Sequence, residues 1–302
     1  MRTPPSPSEF LRYPITVLIA LLAVLASLQS SGGRNIDPMF LSSAGDCLHE
    51  PWRLLTSALF HVGPIHLIFN LYWLWVFGTL VEERFGHGAT LGIYFLLAAG
   101  SDAAELAVFH GGVGLSGVVY GLFGMLWVLS KRDSRFRDAV DRQTVQLMVG
   151  CFFLCIVLTV TDVLRVANVA HGAGCALGAL LGWTISARDV AKRLGRVAVV
   201  AAVSLTCIAA GILVRHASFN REMAMDLAYL AYQALEKGDN QEAIVLSKKA
   251  IAIDPNQFGT WQNLGVAYHR LGQATEAREA LERAAKLRPS DSGSEQEEIN
   301  RD

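Results

Sequence analysis

The sequence predicts an all-α protein: a polytopic membrane helical bundle over residues 13–215, then a small α-helical repeat domain over residues 222–290. Three observations carry this. Of the 302 residues, 52% are hydrophobic and only 18% charged, too apolar for an ordinary soluble chain of this length. The apolar residues gather before position 215, in runs approaching the roughly 20 residues that a helix needs to cross a bilayer. Residues 216–302 are instead polar, charged and rich in alanine, and within them residues 224–290 repeat with a period of 34.

Seven apolar segments follow one another, at residues 13–30, 65–81, 88–109, 114–130, 144–160, 166–187 and 197–214. The third is the least regular, because Asp102 and Glu105 fall in its later half. Arg2 and Arg12 ahead of the first segment also suit a cleaved signal peptide. That run is long, however, and no good A-x-A site follows it. Lys and Arg collect on the cytoplasmic side of a membrane protein. Here Lys131, Arg132, Arg135, Arg137 and Arg142 follow span 4, and Arg188, Lys192, Arg193 and Arg196 follow span 6. Arg2, Arg12 and Arg84 fall on the same side, against Arg34, Arg53 and Arg165 on the other. Residues 1–12 are therefore expected to form a cytoplasmic tail. Spans 2, 4 and 6 then each start near the outer face, and the repeat domain emerges outside. The acidic tail at residues 291–302 is expected to be disordered.

The three starts at that face carry the polar residues of interest. Span 2 opens with His61, His66 and Asn70, the last two four apart and so on one helix face. Span 4 opens with Gly114, Ser116 and Tyr120, and span 6 with His171. Polar side chains at membrane depth are costly and usually serve a site. A serine alone bonds back to its own helix, and a lone histidine is equally a helix–helix partner. A serine and a histidine at matching depth are different, because serine becomes a nucleophile when a base of suitable pKa lies within reach. Gly117, Gly121 and Gly124 on span 4 and Gly174, Gly178 and Gly182 on span 6 allow that approach, although generic packing explains the glycines equally well. The Ser116 N–H starts a helix, and His66 and Asn70 can add side-chain donors for an oxyanion. No acid obviously orients His171, which suggests a Ser–His dyad rather than a triad. Tyr120 either stacks on the His171 ring or simply fills space.

Other residues are read more plainly. Asp162 is a helix-end residue, and His61 helps shape the site. His49, His87, His110, His216 and His269 are expected to face solvent. The five cysteines, Cys47, Cys151, Cys155, Cys175 and Cys207, are odd in number and lack metal-like spacing, so small core residues are the expectation. There is no H-E-x-x-H motif and hence no sign of a zinc protease.

These residues resemble the rhomboid family. The matching pieces are Trp52 and Arg53, the segment from His61 through His66 to Asn70, the stretch from Gly114 through Ser116 to Tyr120, and His171 with Gly174 and Gly178. They span roughly residues 47–186. The resemblance implies a six-helix rhomboid core with a seventh helix appended. It implies an intramembrane serine endopeptidase without a cofactor: Ser116 as nucleophile, His171 as general base, and His66, Asn70 and the Ser116 backbone as oxyanion hole. Gly114, Tyr120, Trp52 and Arg53 would support the site, with Trp52 at the interface and Arg53 snorkelling to headgroups. Glu82 resembles a structural acid of the family. The implied setting is the bilayer, most simply a bacterial cell (inner) membrane. The implied partners are membrane proteins whose spans carry helix-breaking residues near the cut, with no nucleic acid.

The C-terminal repeat resembles the tetratricopeptide repeat. Gly238 pairs with Gly272, Ala243 with Ala277, Ala250 with Ala284 and Pro255 with Pro289. The second copy holds Trp261, Leu264, Gly265 and Tyr268; the first has Leu227, Leu230 and Ala231 at matching positions. Two helix pairs are marginal alone, so the repeats are expected to pack on a protein partner, on a second copy or on the membrane domain. The competing readings are a non-catalytic rhomboid-like chaperone, a transporter, and an anchored repeat protein. The presence of both Ser116 and His171, the lack of clear inverted repeats, and seven spans where an anchor needs one each speak against them.

Overall fold

The computed structural model describes residues 4–31, 50–109, 111–161, 163–164, 166–217 and 220–287. Arg2, Arg34, Cys47, His49, His110, Asp162, Arg165, the tail 291–302 and the His216 side chain lie outside the described residues. All regular structure among the described residues is helical. The chain divides into two units, Met1–Arg215 and His216–Asp302.

In the first unit, α1 (Pro14–Ser31), the short α2 (Arg53–Thr56), α3 (Pro64–Trp73), α4 (Thr79–Val108), α5 (Ser116–Arg132), α6 (Arg142–Val160), α7 (Asn168–Ile185) and α8 (Val190–Ala217) follow in order. Local chemistry sets several starts. Pro64 opens α3 behind Gly63, whose φ is 82°. Asp141 caps α6 by accepting from the Thr144 N–H at 2.8 Å. A π-helical turn, Leu74–Gly78, joins α3 to α4. Gly86, at φ 77°, ψ 169°, then breaks α4. That break separates the second and third expected spans, and no L side chain adopts it comfortably.

By length and composition, three stretches among the described residues suit a membrane crossing: Pro64–Val108 with its break, Arg142–Val160 and Val190–Gly211; Pro14–Gln29 is apolar but shorter. The expected spans 4 and 6 correspond to α5 and α7, which fall short of that measure. The reason is positional. α5 is buried along most of its length and packs against α7, whose contacting face is built from His171, Gly174, Gly178 and Gly182, so glycine and polar residues stand where a lipid-facing helix would carry leucine. α6 is the opposite: Phe153, Leu154, Val157 and Val160 are all more than half exposed, as suits a lipid-facing helix.

Glycines fix how closely α5 and α7 approach. A Cβ on Gly174 would lie 3.0 Å from the Gly117 carbonyl carbon, and one on Gly178 only 2.6 Å from that of Gly121. At the far end, a Cβ on Gly182 would meet the Met125 carbonyl oxygen at 2.5 Å. Backbone touches backbone at three successive turns, which dispersion favours and any side chain would prevent.

Glu82 is buried. Its carboxylate accepts the Ile15 and Thr16 N–H groups at 2.8 and 2.9 Å and the Thr16 hydroxyl at 2.7 Å, and so caps the start of α1. His87, expected to be merely solvent-facing, also reaches Glu82, with Nδ1 at 2.7 Å.

The second unit holds α9 (Asn220–Glu236), α10 (Asn240–Ile253), α11 (Phe258–Arg270) and α12 (Ala274–Lys286), two helix hairpins. The turns within the hairpins pass through Gly238 and Gly272, at φ 81° and 75°. Asp239 caps α10 through the Glu242 N–H at 3.0 Å. The two copies are tied by side chains reaching back one repeat. Asn263 Nδ2 donates to the Ala228 carbonyl at 2.9 Å, and Arg270 to that of Leu235 at 2.7 Å. Ala234, Leu235, Ala243, Leu264, Ala267 and Ala280 form the core.

Candidate active site

Ser116 is the first residue of α5, and His171 lies at the start of α7. Their side chains meet: His171 Nε2 lies 2.7 Å from Ser116 Oγ. His171 is 4% exposed, and its Nδ1 has no hydrogen-bond partner. No carboxylate therefore completes a triad among the described residues. The serine proton pointing at Nε2 requires the ring proton on Nδ1.

Tyr120, one turn below Ser116, stacks on the His171 ring with centroids 4.7 Å apart and planes 27° apart. Its hydroxyl donates to the Met148 carbonyl at 3.0 Å, which fixes the ring. Of the two roles open to Tyr120 from sequence, the geometry has the stack.

The approach to Ser116 is built by the loop before it. Gly114 adopts φ 108° and donates to the Ser57 carbonyl at 3.3 Å. A Cβ here would come within 2.6 Å of His66 Cε1, so the glycine is what lets His66 lie over this strand of backbone. His61 packs edge-on to His66, with centroids 4.9 Å apart. Its Nε2 accepts the Leu115 N–H at 3.2 Å, while Nδ1 lies 3.1 Å from the Leu59 carbonyl and 3.4 Å from Ser27 Oγ. Those bonds put the His61 proton on Nδ1. They occupy the Leu115 N–H, and the Ser116 N–H follows as the first donor of α5 without an intrahelical partner. Asn70 is buried one turn beyond His66; Nδ2 donates to the His66 carbonyl at 2.9 Å, which leaves its second N–H.

Trp52 is 51% exposed. Arg53 differs from expectation. It is 3% exposed and ion-paired to Glu50 three residues before it, rather than extended to headgroups. A neighbouring carboxylate gives a buried guanidinium what a lipid phosphate would otherwise supply.

Sequence reasoning missed Glu105. Its Oε2 accepts the Ala170 N–H at 2.8 Å, and the side chain is buried near the end of α4. The N-cap position of α7, Ala167, has no side-chain cap of its own. Glu105 therefore caps the helix that carries His171, from a different helix, one residue before the histidine itself. A carboxylate suits the positive end of a helix. The signal was present in the sequence: two acids three apart in an otherwise apolar span need a partner, and a helix start offers one.

Fold and site together define a polytopic helical membrane protein with a buried histidine hydrogen-bonded to a half-buried serine where three helix starts converge. Residues 48–188 match the rhomboid domain, and residues 234–293 match the tetratricopeptide repeat. The chain is thus similar to the rhomboid domain in its first unit and to the tetratricopeptide repeat in its second, and its apolar helices are those of an integral membrane protein. It is 30% identical over 174 residues to the rhomboid protease GlpG of Pectobacterium atrosepticum, covering 56% of this chain and 61% of that one. To the rhomboid protease GlpG of Photorhabdus laumondii it is 32% identical over 172 residues, covering 56% and 60%. The chain spans about three fifths of the length of these relatives.

Proposed function

We propose that this protein is an intramembrane serine endopeptidase, with Ser116 as nucleophile and His171 as general base. The 2.7 Å bond between Ser116 Oγ and His171 Nε2 carries the proposal. Attack of Oγ on the scissile carbonyl passes its proton to Nε2. The resulting imidazolium then protonates the leaving amine, and water repeats the sequence to release the acyl group. Tyr120 holds the imidazole plane by stacking, and Glu105 holds the helix beneath it. The oxyanion is assigned to the Ser116 N–H, the free N–H of Asn70 and the His66 ring, the last beside the Gly114 turn.

A helix hides its carbonyls in its own hydrogen bonds, so substrates are membrane proteins whose spans carry helix-breaking residues near the cut. Cleavage is assigned to the outer face. The orientation rests on the basic residues after spans 4 and 6: a cytoplasmic N-terminal tail (1–12), a membrane domain (13–215) in a bacterial inner membrane, extracytoplasmic repeats (222–290) and a disordered tail (291–302). The repeats bind a protein partner or a second copy.

The test is cleavage of a labelled single-span substrate in proteoliposomes by wild type, Ser116→Ala and His171→Ala. Cutting by wild type and silence from both variants is the expected result. Equal cutting by all three refutes the assignment. If none cuts, a serine-reactive probe decides: labelling of wild type but not of Ser116→Ala supports the nucleophile, and its absence refutes it.

A further inference from the structure

A groove of about 650 Å³ runs between α5, α6 and α7 and is lined almost wholly by apolar side chains. On α5 its wall is Tyr120, Phe123, Trp127 and Lys131, spaced three, four and four residues apart on one helix face. Eleven residues at about 1.5 Å each make it about 17 Å long. One end lies under the site, where Phe152 of α6 meets Tyr120 edge-on at 6.0 Å and Tyr120 stacks on His171. The other end, away from Ser116, is basic: Lys131 and Arg132 line it and both are exposed.

These two cations are not neutralised by the protein. Asp133, next in sequence, is engaged by Arg135 through bonds of 2.7 to 3.1 Å, and no other carboxylate among the described residues pairs with Lys131 or Arg132. Water in so apolar a groove would lack hydrogen-bond partners. An acyl chain suits its length and lining. At the basic end a phosphodiester accepts from the Arg132 fork and faces the Lys131 ammonium, and a headgroup without a cation of its own leaves that attraction unopposed.

We propose that this groove binds one anionic phospholipid, with an acyl chain along α5 and the phosphodiester at Lys131 and Arg132. The occupant lies against Phe152 and Tyr120 and is thereby in contact with the side chain that holds His171.

The test is native mass spectrometry of the full chain in non-ionic detergent, titrated with phosphatidylglycerol or with phosphatidylcholine of identical acyl chains. One phosphatidylglycerol per chain should be retained in preference to phosphatidylcholine. Lys131→Gln with Arg132→Gln should weaken phosphatidylglycerol binding about 30-fold, the combined attraction of two basic side chains for an anionic headgroup. Ala176→Phe, at an exposed position of the α7 wall, keeps both charges but fills the groove and should also displace the lipid. Equal retention of the two lipids, retention of neither, or unchanged phosphatidylglycerol binding in either variant would overturn the proposal.

Discussion

Replacing Gly178 by alanine should damage the site without touching it. The new Cβ would lie 2.6 Å from the Gly121 carbonyl carbon and 2.8 Å from its Cα. Carbon atoms settle at about 3.5–4.0 Å, so α5 and α7 must part by about 1 Å at this level. Both obstructing atoms are backbone, so no rotamer change relieves the clash. Overpacking of this kind costs about 1–3 kcal/mol. The same parting, carried two turns up α7, stretches the 2.7 Å Ser116–His171 bond beyond the hydrogen-bonding range. A misplacement of about 1 Å costs about 100-fold in rate. Gly172→Ala is the control. It sits beside the histidine, yet its Cβ meets only the Phe152 ring edge, at 3.8 Å, an ordinary contact. Cleavage rates in proteoliposomes and thermal unfolding in detergent measure both effects. Wild-type rate and stability in Gly178→Ala, or equal damage from Gly172→Ala, would refute the claim that backbone contact between α5 and α7 sets the geometry.

Glu105→Ala should lower stability by about 1–3 kcal/mol, through the stranded Ala170 N–H. It should also lower kcat more than it raises KM; Glu105→Gln, which keeps an acceptor, should recover most of both, and steady-state kinetics with thermal unfolding tests this. Tyr120→Phe keeps the ring on His171 and loses only the bond to the Met148 carbonyl, about 1 kcal/mol. Tyr120→Leu removes the stack and should slow cleavage about tenfold; equal rates for the two variants would remove the stack from the mechanism. In the repeats, Asp239→Ala deletes the α10 cap and should cost about 1 kcal/mol, read by the unfolding of the full chain followed by circular dichroism.

What the sequence revealed and what it hid divide along physical lines. The glycine series on α5 and α7 was readable because a four-residue spacing has few causes, and the structure has each glycine of the α7 series against backbone. Ser116, Tyr120 and His171 were readable because polar side chains in apolar runs stand out. Glu105 stood out as well, but several helix starts could have supplied its partner, and only the fold selects the Ala170 N–H 65 residues away. His87 was hidden for the related reason that its partner, Glu82, sits in the same connection between spans and not at a helical spacing. Arg53 was misjudged because its two possible anions, a lipid phosphate and Glu50, are equally plausible until the chain is folded. The hydropathy of α5 understated its role, since a helix wrapped by its neighbours has no need to be oily.

The two carboxylates at opposite ends of α4 impose an order on assembly. Glu82 completes the start of α1, and Glu105 completes the start of α7. α1 leaves the ribosome before α4 and reaches the bilayer with its leading amides short of an acceptor in a medium that offers them no replacement for water. They must wait for a side chain made some 65 residues later. α7 is born in the reverse situation, with its acceptor already in place. One helix thus closes an account left open by an earlier segment and prepares the seat for a later one. Damage to α4 should accordingly appear during biogenesis, as chains stalled or degraded half-inserted, before it is seen in the activity of any finished molecule.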